Sequence, residues 1–137
     1  MQNVKIIECP RDAMQGIKDW IPTAKKAQFI QSLLNCGFDT IDFGSFVSPR
    51  AIPQMRDTAE LISLLDFSKS NSKLLSIIAN VRGAQDAVKF TEIDYLGYPF
   101  SISENFQMRN THKTIAQSID LLNEVLNIAD SKSKTVV

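Results

Sequence analysis

Apolar positions along the chain fall into two alternating patterns. Short, nearly continuous runs rich in β-branched residues cover Val4–Cys9, Phe38–Phe43, Leu74–Ala79 and Ile93–Tyr98. Such runs predict strands buried on both faces. Asp94 and Gly97 interrupt the fourth, and a fifth begins at Thr135-Val136-Val137. Helical spacing of three and four fills the intervals. It predicts a helix over Thr23–Asn35, built on Ala24, Ala27, Phe29, Ile30, Leu33 and Leu34 and closed by Cys36-Gly37. A second covers Met55–Leu65 through Ala59, Ile62 and Leu65, and a short third, Ala84–Phe90, is opened by Arg82-Gly83. The clearest is Thr114–Ala129, with Ile115, Ile119, Leu122, Val125, Leu126 and Ala129. Ser68–Ser72 and Ser131–Lys134 read as polar loops.

The resulting order, β-α-β-α-β-α-β-α, implies parallel strands joined by right-handed crossovers. An open doubly wound sheet and a (β/α)8 barrel both satisfy it. A full barrel usually needs about 250 residues. With 137 residues, the chain has room for one compact domain and about half a barrel.

Composition narrows the partners. The hydrophobic fraction, 44%, suffices for a core, and 15 basic residues balance 15 acidic ones. Both halves of the chain are balanced too, so no electrostatic footprint for nucleic acid or an anionic membrane is present. No apolar run reaches the length of a membrane span. The start, Met1-Gln2-Asn3-Val4-Lys5, lacks the charged-then-apolar pattern of a secretory leader. Cys9 and Cys36 are too few for a disulfide framework, and as small hydrophobes they are expected to be buried. A soluble, cytoplasmic protein is the expectation.

In parallel α/β folds, chemistry sits at the carboxyl ends of strands. After the first run stands Glu8-Cys9-Pro10-Arg11-Asp12-Ala13-Met14-Gln15. Arg11 and Asp12 put a permanent cation beside a carboxylate able to bind a hard divalent ion such as Mg²⁺ or Mn²⁺; an ordinary surface ion pair would have the same spacing. The second strand leads into Asp42-Phe43-Gly44-Ser45-Phe46-Val47-Ser48-Pro49-Arg50, then Ile52-Pro53-Gln54-Met55. The third leads into Asn80-Val81-Arg82-Gly83, and the fourth into Ser101–Phe106 and on to Arg109-Asn110-Thr111-His112. Polar groups therefore follow every strand.

These stretches, in this order, resemble the 3-hydroxy-3-methylglutaryl-CoA lyase family. Pro10-Arg11-Asp12-Ala13-Met14-Gln15 is similar to its Pro-Arg-Asp-Gly-Leu-Gln signature, and Ser45–Arg50 with Pro53-Gln54-Met55 to its Ser-Phe-Val-Ser-Pro-Lys and Pro-Gln-Met stretch. Asn80–Gly83 resembles an Asn-x-Lys-Gly turn, and Ser103-Glu104 with Asn110 a Ser-Glu-x-Phe…Asn segment. The resemblance implies the amino-terminal half of a parallel (β/α)8 barrel, about four β/α units, ending as a fifth strand begins. It implies a divalent-metal-dependent lyase that cuts a 3-hydroxyacyl-CoA into acetyl-CoA and a keto acid, acetoacetate. By the same resemblance Arg11 is the catalytic cation and Asp12 a metal ligand. Gln15, Asp42, Ser45, Asn80 and Asn110 are substrate-binding or orienting residues. A synthase or aldolase of the same superfamily, and a non-catalytic half-barrel that binds a partner, are the competing readings. A homodimer would cover the open edges.

Departures accompany the resemblance. Cys9 abuts Pro10 where the family has Gly, which brings Glu8 one residue nearer to Arg11. Ala13 replaces a glycine, and Asp42 stands where the family has Glu. The family completes its metal site with a later His-x-His and an Asn, and keeps a reactive Cys on a later loop. This chain has one histidine, His112, which reads as a surface residue at a helix start, and neither cysteine matches. Residues 1–137 therefore read as a partial barrel domain, a truncated product that is inactive alone.

Overall fold

The computed structural model describes residues 4–137. Met1-Gln2-Asn3, part of the start read for a leader, lies outside the described residues. Among the described residues, five strands form one sheet: β1 (Ile7–Glu8), β2 (Thr40–Ser45), β3 (Lys73–Ile77), β4 (Ile93–Gly97) and β5 (Thr135–Val136). They lie side by side in chain order, and all four pairings are parallel. A doubly wound sheet reverses direction at a switch point. Here there is none, so right-handed crossovers place successive helices on one face, as in a barrel wall.

Six helices occupy the connections: α1 (Pro10–Gln15), α2 (Thr23–Leu34), α3 (Thr58–Ser63), α4 (Val81–Ala87), α5 (Glu104–Thr111) and α6 (Ile115–Asp130), with a 3-10 turn at Pro53–Met55. The core lies between sheet and helices. Ile41, Phe43, Leu74, Ile78, Ile93 and Leu96 meet Ile30, Leu34, Leu61, Ala84, Ala87, Val125 and Ala129, all buried. Thr114 and Gln117 close a reciprocal capping box at the start of α6, satisfying donors that a helix start leaves unpaired. Gly37, with φ +77°, turns the chain from α2 toward β2, a conformation that costs glycine little.

Several expectations need correction. The first strand is two residues, not Val4–Cys9, and Ile6 and Ile7 are exposed. β1 is an edge strand, and Pro10, which has no N–H, opens a helix instead of extending the ladder. The segment expected as a strand-end loop is thus α1. Ser101–His112, also expected as a loop, contains α5, whose Ser103 hydroxyl accepts from Phe106 N–H. That helix is exposed along most of its length, so it leaves no apolar period. Met55–Leu65 divides into the 3-10 turn and α3 because Asp57 leaves helical geometry. The third helix starts earlier than Ala84, at Val81, capped by Asn80. Cys9 and Cys36 are exposed, not buried. His112 ends α5 in a left-handed conformation (φ 56°) rather than starting a helix.

Candidate active site

The Arg11 guanidinium is the centre of a group built from β1, α1 and β2. Pro10 fixes the first turn of α1, which places Arg11, Asp12 and Gln15 on one short helix just past β1. Asp42 reaches it from the middle of β2, a strand buried along its whole length. Arg11 Nη2 lies 2.6 Å from Asp42 Oδ2, and Nε lies 3.1 and 3.2 Å from its two oxygens. Two-point contact of this kind fixes orientation as well as distance. Nη1 donates to Gln15 Oε1 at 2.9 Å and to Asp12 Oδ1 at 3.1 Å. Gln15 Nε2 also donates to Asp12 Oδ1, at 3.1 Å. Nε, both Nη1 protons and one Nη2 proton are engaged; the second Nη2 proton has no partner among the described residues.

Burial differs sharply across the group. The side chains of Arg11 and Asp42 are 13% and 6% exposed, and that of Asp12 is 65% exposed. Burial acts against the Arg11 cation, but the hydrogen bonds and charge of Asp42 outweigh it and raise its pKa. Burial also pushes the Asp42 carboxyl above its usual value, and Arg11 offsets that only in part. Cys9, next to the group, has its thiol pushed up by burial and then by the Asp42 charge. Its exposure therefore does not make it a favoured thiolate. Ala13 sits in ordinary helical backbone, since positive φ outside glycine is confined to His112 and Ser133 among the described residues.

Other expected site residues are placed differently. The Ser45 hydroxyl donates to Ile77 O and accepts from Val47 N–H, both at 3.3 Å, so it ties β2 to the end of β3. Asn80 Oδ1 accepts from Gly83 N–H at 2.8 Å and caps α4. A Cβ at Gly83 would come within 2.6 Å of Phe46 O, so only glycine lets α4 start this close to the β2 exit. Asn110 Nδ2 donates to Phe106 O within α5. No hydrogen bond joins Ser45, Asn80 or Asn110 to the Arg11 group among the described residues.

A metal ion needs several donors in one place. Among the described residues, no group of three or more His, Cys, Asp or Glu could hold one. Asp12 can offer Oδ2, but the residues present do not form a metal site by themselves. Sequence reasoning assigned no role to Gln54, Lys26 or Asp57, and took Trp20 for a packing or pocket-wall residue. Gln54 and Trp20, with Gln15, Lys18 and Arg56, line a cavity of about 310 Å³ beside the end of α1. The Pro-Gln-Met stretch was the available signal for Gln54.

The fold and this cation–carboxylate pair define an opening half of a parallel β/α barrel whose polar group lies just past its first strand. No family model matches the chain. A chicken (Gallus gallus) mitochondrial hydroxymethylglutaryl-CoA lyase is 35% identical over 135 residues, covering 96% of this chain and 44% of that protein. A Bacillus subtilis hydroxymethylglutaryl-CoA lyase is 30% identical over 126 residues, 92% of this chain and 42% of its own length. The solved HMG-CoA lyase from Brucella melitensis superposes with a TM-score of 0.90 at 31% identity, over 99% of this chain and 48% of that one. An HMG-CoA lyase from Acenitobacter baumannii, in complex with coenzyme A and 3-methylmalate, gives 0.87 at 33% identity, over 96% and 44%. In sequence and in fold, the chain is similar to the amino-terminal portion of these hydroxymethylglutaryl-CoA lyases. It spans less than half the length of these relatives.

No described helix is long and apolar enough to cross a membrane. The relatives include proteins named as mitochondrial and as cytoplasmic.

Proposed function

We propose that this chain carries the arginine-bearing half of a carbon–carbon lyase acting on a 3-hydroxyacyl-CoA. Hydroxymethylglutaryl-CoA is the substrate proposed, with acetyl-CoA and acetoacetate as products. The observation that supports it best is the Arg11 guanidinium, locked by Asp42 yet retaining an uncommitted proton on Nη2. Breaking the carbon–carbon bond leaves negative charge on the thioester oxygen of the departing acetyl unit. A permanent cation already oriented by a buried carboxylate stabilises that charge without reorganising during the reaction.

Gln15 and Asp42 are proposed to set the guanidinium, while Ser45, Asn80 and Asn110 orient substrate. Lys18 and Arg56 beside the cavity next to Gln15 suit the phosphates of an acyl-CoA. A divalent ion, Mg²⁺ or Mn²⁺, belongs to the proposal with Asp12 as one ligand; the other ligands come from outside this chain. Residues 1–137 are accordingly proposed to be one partial barrel domain, inactive alone. Exposed free cysteines suit the reducing cytoplasm also proposed.

A chimaera tests this. Residues 4–137 replace the matching segment of the Bacillus subtilis relative, and release of acetyl-CoA from hydroxymethylglutaryl-CoA is measured with and without Mg²⁺ or Mn²⁺. Metal-dependent cleavage by the chimaera, and none by the 137-residue chain alone, is expected. A folded chimaera that only condenses acetyl-CoA with a 2-oxo acid, or that cleaves nothing, rejects the proposal.

A further inference from the structure

The Arg11 group depends on Gln15, and Gln15 is the last residue of α1. The chain that leaves it has no helix or strand until α2 starts at Thr23. Left to itself, such a segment would let the end of α1 move. Gln54, in the 3-10 turn after β2, takes hold of it. Its Nε2 donates to Ile17 O at 3.0 Å and Asp19 O at 2.8 Å, and its Oε1 accepts from Ile21 N–H at 3.1 Å. The residue is 3% exposed, and all three hydrogen bonds of its amide go to this one segment.

The backbone of the same residue secures the next element. Gln54 O accepts from Lys26 Nζ on α2, and Lys26 also pairs with Asp57 Oδ1 at 2.8 Å. The Trp20 ring lies 3.9 Å from the Lys26 ammonium and 4.0 Å from the Arg56 guanidinium, a favourable placing for a cation. Gln54 thus joins the exit of β2 to the exit of α1. Arg11 on α1 and Asp42 on β2 join those same two elements. A side chain without an amide would strand two carbonyls and one N–H there.

We infer that Gln54 is a positioning residue for Arg11: by fixing the chain after Gln15 it fixes the acceptor of Nη1, and with it the guanidinium. The consequence for turnover rests on the proposed role of Arg11; the geometric claim does not.

Two readouts separate the claims. The first is the Arg11 side-chain Nε–H signal, followed by ¹⁵N NMR in the full 137-residue chain. Gln54→Ala and the milder Gln54→Glu, which keeps the acceptor for Ile21 N–H but loses both donors, are compared with Gln107→Ala. Gln107 is a control because it is an equally buried amide, donating to Ser118 far along the chain. Either Gln54 variant should shift the Arg11 signal and speed its exchange with water by about tenfold or more, as local opening does. Gln107→Ala should lower stability and leave the signal in place. If a folded Gln54 variant leaves the signal unmoved, or Gln107→Ala moves it as much, the inference fails. If both Gln54 variants prevent folding while Gln107→Ala folds, Gln54 is structural and the inference fails as well.

The second readout is the chimaera described above. There Gln54→Glu should lower kcat about tenfold with little change in KM, as expected when a transition-state interaction is loosened. A wild-type chimaera without turnover would defeat the lyase proposal and leave the NMR result standing.

Discussion

The exits of β1 and β2 and the exits of β3 and β4 are both rich in polar residues, yet they use them differently. At the first pair, side chains bond across elements: Arg11 to Asp42 over 31 residues, and Gln54 to a segment more than 30 residues away. At the second pair they bond within one helix or between the neighbouring α5 and α6, Gln107 to Ser118 and Ile115 N–H to Glu104. Asn80 caps its own helix, Ser103 accepts from Phe106 N–H, and Asn110 bonds four residues back. Cross-element bonds fix a geometry that no single helix or strand would hold. Local caps start helices and place no charge. A polar residue at a strand end is therefore a candidate for chemistry only after its hydrogen bonds have been traced.

The heaviest blow to the first region should come from the buried pair behind it. Lys26 is fully buried with Asp57, whose Oδ2 has no partner among the described residues. Lys26→Met leaves that carboxylate buried with its cation gone, a change that costs about 3–5 kcal/mol. Urea unfolding should show that loss. A loss under about 1 kcal/mol would mean that water or another group already compensates Asp57.

Arg11→Met should cost less stability, about 1–3 kcal/mol, because the Arg11 side chain stays partly exposed to water whereas that of Lys26 is fully buried. Its effect on turnover should be the larger one, about 100-fold or more in an active chimaera. Near-normal turnover would move the catalytic charge elsewhere and erase the contrast between the two regions.

Acid supplies a milder probe of the same pair. The Asp42 carboxyl titrates above its ordinary value because burial outweighs Arg11. Its protonation, followed by the carboxyl ¹³C shift, should occur above pH 3.8, and the Arg11 Nε–H signal should move with it. The folded state binds this proton more tightly than the unfolded chain does. This one group therefore favours folding increasingly as pH falls from the raised value toward 3.8, and the advantage is lost as pH rises through the raised value. A carboxyl midpoint at or below 3.8 would contradict that direction.

How much of this could be read from residues alone follows from the same distinction. The barrel-like order was legible because β2, β3, β4, α2 and α6 carry enough apolar side chains to show their periods. α1 and α5 were not, being short and largely exposed, although Pro10 and Ser103 mark their starts. Arg11 and Asp12 stood out by adjacency. Asp42 was singled out, but no local pattern shows which carboxylate meets which guanidinium. Gln54 stands within the Pro-Gln-Met stretch, but its role leaves no trace in the sequence, since its partners on Ile17, Asp19 and Ile21 are backbone groups with no side-chain signature.

The smallest expected effect belongs to Asn80, and it tests whether a capping residue can also serve the site. Oδ1 is committed to Gly83 N–H, while Nδ2 has no hydrogen bond among the described residues. The two roles thus use different atoms of one side chain. Asn80→Ala removes both and should cost about 1 kcal/mol through the lost cap. Asn80→Asp keeps the acceptor, adds a negative charge where a helix start favours it, and deletes the two N–H donors. Thermal unfolding of that variant should match the parent within about 0.5 kcal/mol. If the free amide orients substrate, turnover in the chimaera should still fall, by about tenfold for one lost hydrogen bond. Unchanged stability with unchanged turnover would make Asn80 a cap alone.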